Sequence, residues 1–221
     1  MTTGWNEVIP RLVHDAKSLL RKPHSKAQLL DRRIGANADP EAKALLDAVI
    51  GGHLELGRLF TRVGVLADAM ENGTHSAVPL SAVVLGVKVA SNRAFADNGA
   101  SWECFSLPDC VVPSTLEIAL QELVDNSLRF HALVRPPEIS LQCEVENTTL
   151  RLDYRDNGTG WDPAYTGRLF TPFERLDAER SGLGLGLAIA KAIVDRAGGT
   201  IRAATTAQGS QFVIELPLSS P

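Results

Sequence analysis

Two glycine clusters limit what this chain can fold into. Asp156-Asn157-Gly158-Thr159-Gly160 follows the strand-like run Leu150–Tyr154, and Gly182-Leu183-Gly184-Leu185-Gly186 opens directly into a helical pattern from Leu187 to Arg196. Glycine lets backbone approach a bulky anion closely and take turns that other residues resist. A helix N-terminus presents unpaired N–H groups and the positive end of its dipole, so the second cluster is a natural seat for phosphate. A glycine loop ahead of a helix is also a common plain turn, and neither cluster alone identifies a nucleotide site.

Their company narrows the reading. Upstream, Leu120-Gln121-Glu122-Leu123-Val124-Asp125-Asn126-Ser127-Leu128-Arg129-Phe130 is helical, with Glu122 and Asn126 one turn apart on one face. Between the clusters stands Leu169-Phe170-Thr171-Pro172-Phe173-Glu174-Arg175. In this order the four segments resemble the N, G1, F and G2 boxes of the GHKL-type ATP-binding domain of sensor histidine kinases. The tail from Ala188 to Pro217 is similar to that domain's last helix and hairpin.

The resemblance implies ATP as nucleotide and Mg2+ as its counter-ion, a cation that keeps several waters and takes few protein ligands. It assigns Asn126 to the metal and the nucleotide, and Glu122 to ordering a coordinated water or polarising the nucleophile. Arg129 falls at the box's basic position, where it neutralises phosphate charge. Asp156 is the carboxylate that accepts the adenine amino hydrogen and rejects guanine, whose corresponding atom is an acceptor. Its plain alternative is a turn-forming Asx residue. Gly158 and Gly160 let backbone approach the base, and Gly182, Gly184 and Gly186 form the phosphate loop. Phe170 and Phe173 are read as packing residues that anchor a short lid, Glu174 to Ser181.

The amino-terminal third is helical. Trp5, Ile9, Leu12, Ala16, Leu19 and Leu30 fall on one seam of a first helix from Trp5 to about Ile34. Gly35 to Pro40 forms a turn, with Asp39 as N-cap and Pro40 at the first helical position. Leu45, Val49, Gly52, Leu56, Leu59, Val63, Leu66 and Met70 then alternate spacings of four and three, the heptad seam of a long helix in a bundle or coiled coil. Glu71-Asn72-Gly73-Thr74 stops it. Two such helices form an antiparallel hairpin, and pairing two hairpins into a homodimer buries the remaining apolar surface as a four-helix bundle.

Two residues past an inward position, His14 points outward. Its setting, Arg11 to Arg21, resembles the H box of the histidine kinase dimerisation and phosphotransfer domain: His14, the acid Asp15, then a small polar residue, Ser18. The family's usual proline is Leu19 here, with Pro23 one turn further on, which moves the expected helix bend. Relatives carry threonine or asparagine, linked to phosphatase activity, where Ser18 stands. Serine keeps a hydroxyl but loses their shape, so that activity is not carried over.

Domain boundaries follow at 1–73 for the hairpin and 78–221 for the ATP-binding domain. Within the second, helices are expected at Leu80–Ala96 and Ser114–Phe130, the latter opened by a capping box of Ser114 and Glu117. Strands are expected around Trp102–Phe105, Glu138–Glu144, Leu150–Tyr154, Ile201–Ala204 and Gln211–Leu216. The fold class is α+β: a helical hairpin, then an α/β sandwich with one mixed sheet covered by helices.

Composition excludes more than it suggests. A formal net charge of −4 over 221 residues gives no electrostatic reason for nucleic-acid or anionic-membrane binding. No apolar span approaches the length of a membrane helix, and the amino terminus has no signal-peptide pattern. The three cysteines, Cys104, Cys110 and Cys143, are scattered like reduced thiols of a cytoplasmic protein.

The resemblance thus implies a histidine kinase core: ATP phosphorylates His14, with Asp15 orienting the ring, and the phosphoryl group passes to an aspartate on a response-regulator receiver domain. Since the chain begins just before the bundle, a separate sensor protein is an expected partner. Two alternatives stay open, a non-catalytic dimeric phosphotransfer adaptor and a GHKL ATPase without phosphohistidine. The run Phe173 to Arg180 is similar to the kinase cores of phytochrome-like proteins, although no chromophore-binding region is present.

Overall fold

A computed structural model describes residues 5–34, 39–70, 76–132, 134–177 and 182–218. The chain divides into two compact units, Met1–Glu71 and Asn72–Pro221.

The first unit is a helical hairpin of α1 (Trp5–Ile34) and α2 (Pro40–Met70). Asp39 caps α2, its carboxylate accepting from the Ala42 N–H at 3.2 Å, as Pro at the first helical position allows. Helix α1 runs without interruption through Pro23.

The helices meet along heptad strips, but not those with the largest aliphatic residues. On α1 the covered strip is Val13, Ala16, Leu20, His24, Ala27 and Asp31; on α2 it is Lys43, Leu46, Ile50, His53, Gly57, Phe60, Gly64 and Ala67. Each covered α2 position lies one residue past its counterpart in the expected seam Leu45, Val49, Gly52, Leu56, Leu59, Val63 and Leu66. Leu19 is 76% exposed and Leu45 65%, and Leu12, Leu30, Val49, Leu56 and Met70 are exposed with them. These residues therefore do not close the hairpin itself, whereas Ala16 of the expected α1 seam is covered and Leu59, Val63 and Leu66 of the expected α2 seam are half-buried. At Gly64 an added Cβ would lie 3.5 Å from Val13 Cγ1, so the Val13 side chain packs over the glycine there. Lys43 of α2 pairs with Asp31 of α1 and, at 3.2 Å, with Asp47.

The second unit carries a five-stranded sheet in the order β2-β4-β5-β7-β6, built from β2 (Ser101–Phe105), β4 (Glu138–Glu146), β5 (Thr149–Asp156), β6 (Thr200–Thr206) and β7 (Gly209–Pro217). The β2–β4 pair is parallel and the rest are antiparallel. A small ribbon pairs β1 (Ala77–Pro79) with β3 (Val111–Pro113). Helices α3 (Leu80–Asn98), α4 (Leu116–Arg129) and α5 (Gly186–Arg196) complete the unit, α4 packing on both α3 and α5.

Alternation along the strands sets the core. Leu150, Leu152, Tyr154 and Asp156 of β5 are all buried, and register places Tyr154 between Leu141 and Phe212. Against them lie the apolar sides of the helices, including Leu120, Leu123, Ile189 and Val194, all fully buried. The opposite sheet face is polar, with Arg151 bonded across strands to Glu215 at 3.1 Å and Asp153 bonded by Arg155 and Gln211.

The expected capping box on α4 does not form. The helix starts at Leu116 with Thr115 as N-cap and no side-chain cap bond. The Ser114 hydroxyl instead accepts from Ser76 Oγ at 3.0 Å, beside the β1–β3 ribbon.

Candidate functional site

The site grows from the inward end of β5. Asp156 is the last residue of that strand and, by alternation, faces the helices, where it is 8% exposed. A carboxylate placed there needs hydrogen-bond donors. Its Oδ1 accepts from the Gly158 N–H at 2.8 Å and the Ser210 N–H at 3.2 Å, and its Oδ2 from Ser127 Oγ at 2.6 Å. The bond from Gly158 is an Asx turn. Asp156 therefore holds the glycine turn and faces α4 at once.

Ser127 has one hydroxyl proton and gives it to Asp156, so the Tyr154 hydroxyl donates to Ser127 Oγ at 2.9 Å. Burial pushes the Tyr154 phenol well above its ordinary pKa, which keeps it a neutral donor. A chain of bonds thus runs from β5 to α4 and back to β5.

Glu122, Asn126 and Arg129 lie on one stripe of α4, passing from buried through half-buried to exposed. Glu122 is 6% exposed. The Phe130 carbonyl at the end of α4 accepts from the Thr159 N–H at 3.0 Å, tying this helix to the first glycine cluster. At Gly158 an added Cβ would lie 2.9 Å from both that carbonyl and Asp156 Oδ1, a space only glycine fits. Gly160 follows with φ +63°.

The second cluster meets the segment before it. Gly184 has φ +66°, and its carbonyl accepts from the Phe173 N–H at 2.8 Å. Gly182 lies against the Arg129 guanidinium, 3.1 Å from where its Cβ would be, and Gly186 is the first residue of α5. The structure therefore brings Glu122, Asn126, Arg129, Asp156 and the five glycines into the same unit, with α4 touching both clusters.

Phe173 differs from expectation. It is exposed and takes a left-handed φ of +65°, so it does not pack as an anchor, whereas Phe170 is half-buried. Of the expected lid, residues 178–181 lie outside the described residues. Before it, a 3-10 helix, Pro163–Arg168, is capped by Asp162, and Arg168 pairs with Glu174 at 2.6 Å.

Sequence reasoning missed several supporting residues. Ser127 and Tyr154 carry the bond chain, and Ser210 supplies a backbone donor. Asn157 binds the loop before β4 through the Glu138 N–H and the Pro136 carbonyl. Arg135 donates to the Asn157 and Gln208 carbonyls at 2.8 and 2.9 Å, clamping the glycine turn to the β6–β7 turn. Strand alternation already placed Tyr154 beside Asp156, but the contact from Ser127 crosses between elements distant in sequence.

In the hairpin, His14 follows the buried Val13 and its side chain is 83% exposed. Its Nδ1 lies 3.1 Å from Asp15 Oδ1. A carboxylate only accepts, so Nδ1 carries the proton and Nε2 presents its lone pair to solvent.

The chain is similar to known proteins in sequence and in fold. Residues 111–220 match the family model described as Histidine kinase-, DNA gyrase B-, and HSP90-like ATPase. The chain is 27% identical over 215 residues to the phytochrome-like protein Cph1 of Synechocystis sp., covering 94% of this chain and 28% of Cph1. Full-length ShkA in complex with AMPPNP superposes with a TM-score of 0.75 at 21% identity, covering 97% of this chain and 46% of ShkA. Histidine kinase ThkA in complex with the response regulator TrrA gives 0.64 at 21% identity, over 96% of this chain and 61% of that one. The chain spans about a quarter of the length of the curated relatives it matches first.

Proposed function

We propose, from the match of residues 111–220 to the family model of histidine kinase-, DNA gyrase B-, and HSP90-like ATPases, that the chain is the catalytic core of a two-component histidine kinase. It transfers the γ-phosphoryl group of ATP to His14 and then to an aspartate of a response-regulator receiver domain. The observation that carries this reading is Asp156, a buried carboxylate held by Ser127, Gly158 and Ser210 at the first glycine cluster.

The chemistry follows from the residues. Asp156 accepts from the adenine amino group, and its fixed orientation favours adenine over guanine. Arg129, lying against Gly182, and the N-terminal amides of α5 neutralise phosphate charge. The Asn126 amide oxygen would offer Mg2+ a hard oxygen donor, and the Glu122 carboxylate, one helical turn away, would order a coordinated water or polarise the nucleophile. Mg2+ bound there would supply charge neutralisation on the triphosphate. At His14, Nε2 attacks the γ-phosphorus, the bond to the β-phosphate oxygen breaks, and ADP leaves. Asp15 orients the ring through Nδ1 and stabilises the cationic phosphoimidazole.

The exposed heptad strip, with Leu19, Leu45, Val49 and Leu56, supports a homodimer in which two hairpins form a four-helix bundle. A reducing, cytoplasmic setting suits three free thiols, and no described helix is long and apolar enough to cross a membrane.

The test is incubation with γ-labelled ATP, beside His14→Ala and Asn126→Ala. Acid-labile, alkali-stable label on the wild type alone is expected. ATP hydrolysis without protein label would replace this reading by that of an ATPase, and loss of ATP binding would remove the assignment of the glycine clusters.

A further inference from the structure

Asp156 Oδ1 takes its two backbone donors from different stretches of chain, Gly158 from the first glycine cluster and Ser210 from β7. The β5–β7 ladder joins these stretches as far as the pair Asp156–Ser210 and ends there. Beyond it, Asn157 and the β6–β7 turn are bridged by a residue of neither, Arg135. Its Nη2 donates to the Asn157 carbonyl at 2.8 Å and to the Gln208 carbonyl at 2.9 Å. A guanidinium NH2 carries two protons in a fixed plane, one for each carbonyl. At Gly209 an added Cβ would collide with the Asp156 carbonyl oxygen and the Asn157 Cα, so the turn lies directly on the backbone that carries the carboxylate.

An exposed arginine often contributes little, because ordering a long side chain offsets what its bonds gain. Here the backbone beneath it is already fixed. The Arg135 N–H donates to the Ala132 carbonyl at 3.2 Å, and Pro136 and Pro137 follow with locked φ. The Asn157 side chain donates to the Pro136 carbonyl and accepts from the Glu138 N–H, and the Ser101 N–H donates to the Pro137 carbonyl. The loop from α4 to β4 is thus a firm mount for the guanidinium.

We propose that Arg135 is a positioning residue for base selection, an inference that rests on the assignment of Asp156 to the adenine amino group. By holding the Asn157 and Gln208 carbonyls together, it fixes the Gly158 and Ser210 amides, and these fix the direction in which Asp156 meets the base. Arg135 therefore acts through Asp156. Its loss weakens a bond that adenine makes and guanine does not, so affinity for ATP falls while affinity for GTP holds. Charge alone predicts something else, because attraction of Arg135 for phosphate would act on both nucleotides alike.

Displacement of a fluorescent ATP analogue from the full chain by Mg-ATP and by Mg-GTP reads both affinities. Arg135→Ala should weaken ATP about tenfold and leave GTP within about twofold, so that discrimination falls about tenfold. Arg135→Lys, whose ammonium also offers several protons from one nitrogen, should restore most of that ratio. Equal losses for the two nucleotides, whether from lost charge or from a loosened fold, would overturn the proposal. So would a ratio unchanged in Arg135→Ala, or one no better in Arg135→Lys than in the alanine variant. An Asp156→Ala variant that binds ATP as tightly as the wild type would overturn the adenine assignment itself, and this inference with it.

Discussion

Replacing Ser127 by alanine separates the two partners that its hydroxyl joins. In the wild type Tyr154 donates to Ser127 and Ser127 donates to Asp156, all three fully or nearly buried. Ser127→Ala removes a bond to a charged acceptor, about 1.5–3 kcal/mol, and strands a buried phenol donor at about 1–3 kcal/mol. The expected loss is about 2.5–6 kcal/mol. Tyr154→Phe removes only a neutral bond and leaves the bond between Ser127 and Asp156, at about 1 kcal/mol. In the double variant no phenol is stranded, so its loss is about 1.5–3 kcal/mol, the bond to Asp156 alone. Tyr154→Phe therefore destabilises the wild type but stabilises the Ser127→Ala background. This change of sign is a coupling that a double-mutant cycle reads directly. Urea unfolding followed by tryptophan fluorescence measures it, since Trp102 packs edge-on to Tyr154 with ring centroids 6.4 Å apart. Additive losses would show that the three groups do not act as one chain and would refute the reasoning.

Other consequences follow from single contacts. Gly184→Ala places a Cβ 2.6 Å from the Glu174 carbonyl and 2.7 Å from the Phe173 carbonyl carbon at φ +66°, and the left-handed backbone alone costs about 1–2 kcal/mol; limited proteolysis should cut faster between Phe170 and Asp177, and an unchanged pattern would refute the contact. In the hairpin, Leu56→Lys on the outward strip should leave helicity intact and yield a monomer by sedimentation velocity, whereas Ile50→Lys on the covered strip should lower helicity by circular dichroism. Asp153 is worth testing by acid titration. Burial raises its pKa, but bonds from Arg155 and Gln211 outweigh it and hold the carboxyl below its ordinary value. A depressed folded-state pKa contributes stability that is present above the unfolded value and lost as pH falls through the folded one. Asp153→Asn should be less stable than the wild type at pH 7, with the gap closing as acid protonates Asp153, and a gap constant with pH would exclude this linkage.

Much of the site was legible because its signals are local. Glycines at Gly158 and Gly184 mark backbone that no side chain fits, and Glu122 and Asn126, four apart within a helical pattern, stand one turn apart on one face. Asp156 could be placed inward by counting two residues at a time along β5. The capping box at Ser114 failed because a partner from β1's flank, Ser76, competes for the hydroxyl. Phe173 was misjudged because an aromatic residue near glycines looks like packing, while here its backbone is held by Gly184 and its ring is left outside.

By itself the sequence determined the long helices and the five strands of the main sheet, their order and the period of each, but not the β1–β3 ribbon or the 3-10 helix. Turn chemistry and side-chain alternation act over a few residues, so a reader of the chain sees them. Tertiary structure alone decided phase and partnership. In α2 two adjacent strips share one heptad period, and the strip through Leu45, Val49 and Leu56 is the more apolar. Yet the strip through Leu46, Ile50, Gly57 and Gly64 closes the hairpin, with Val13 packed over Gly64 and Lys43 paired with Asp31. Likewise Ser127 meets Tyr154 and Asp156 only when α4 crosses the sheet. Periodicity is a property of one segment, whereas the choice of face depends on how closely two segments can pack.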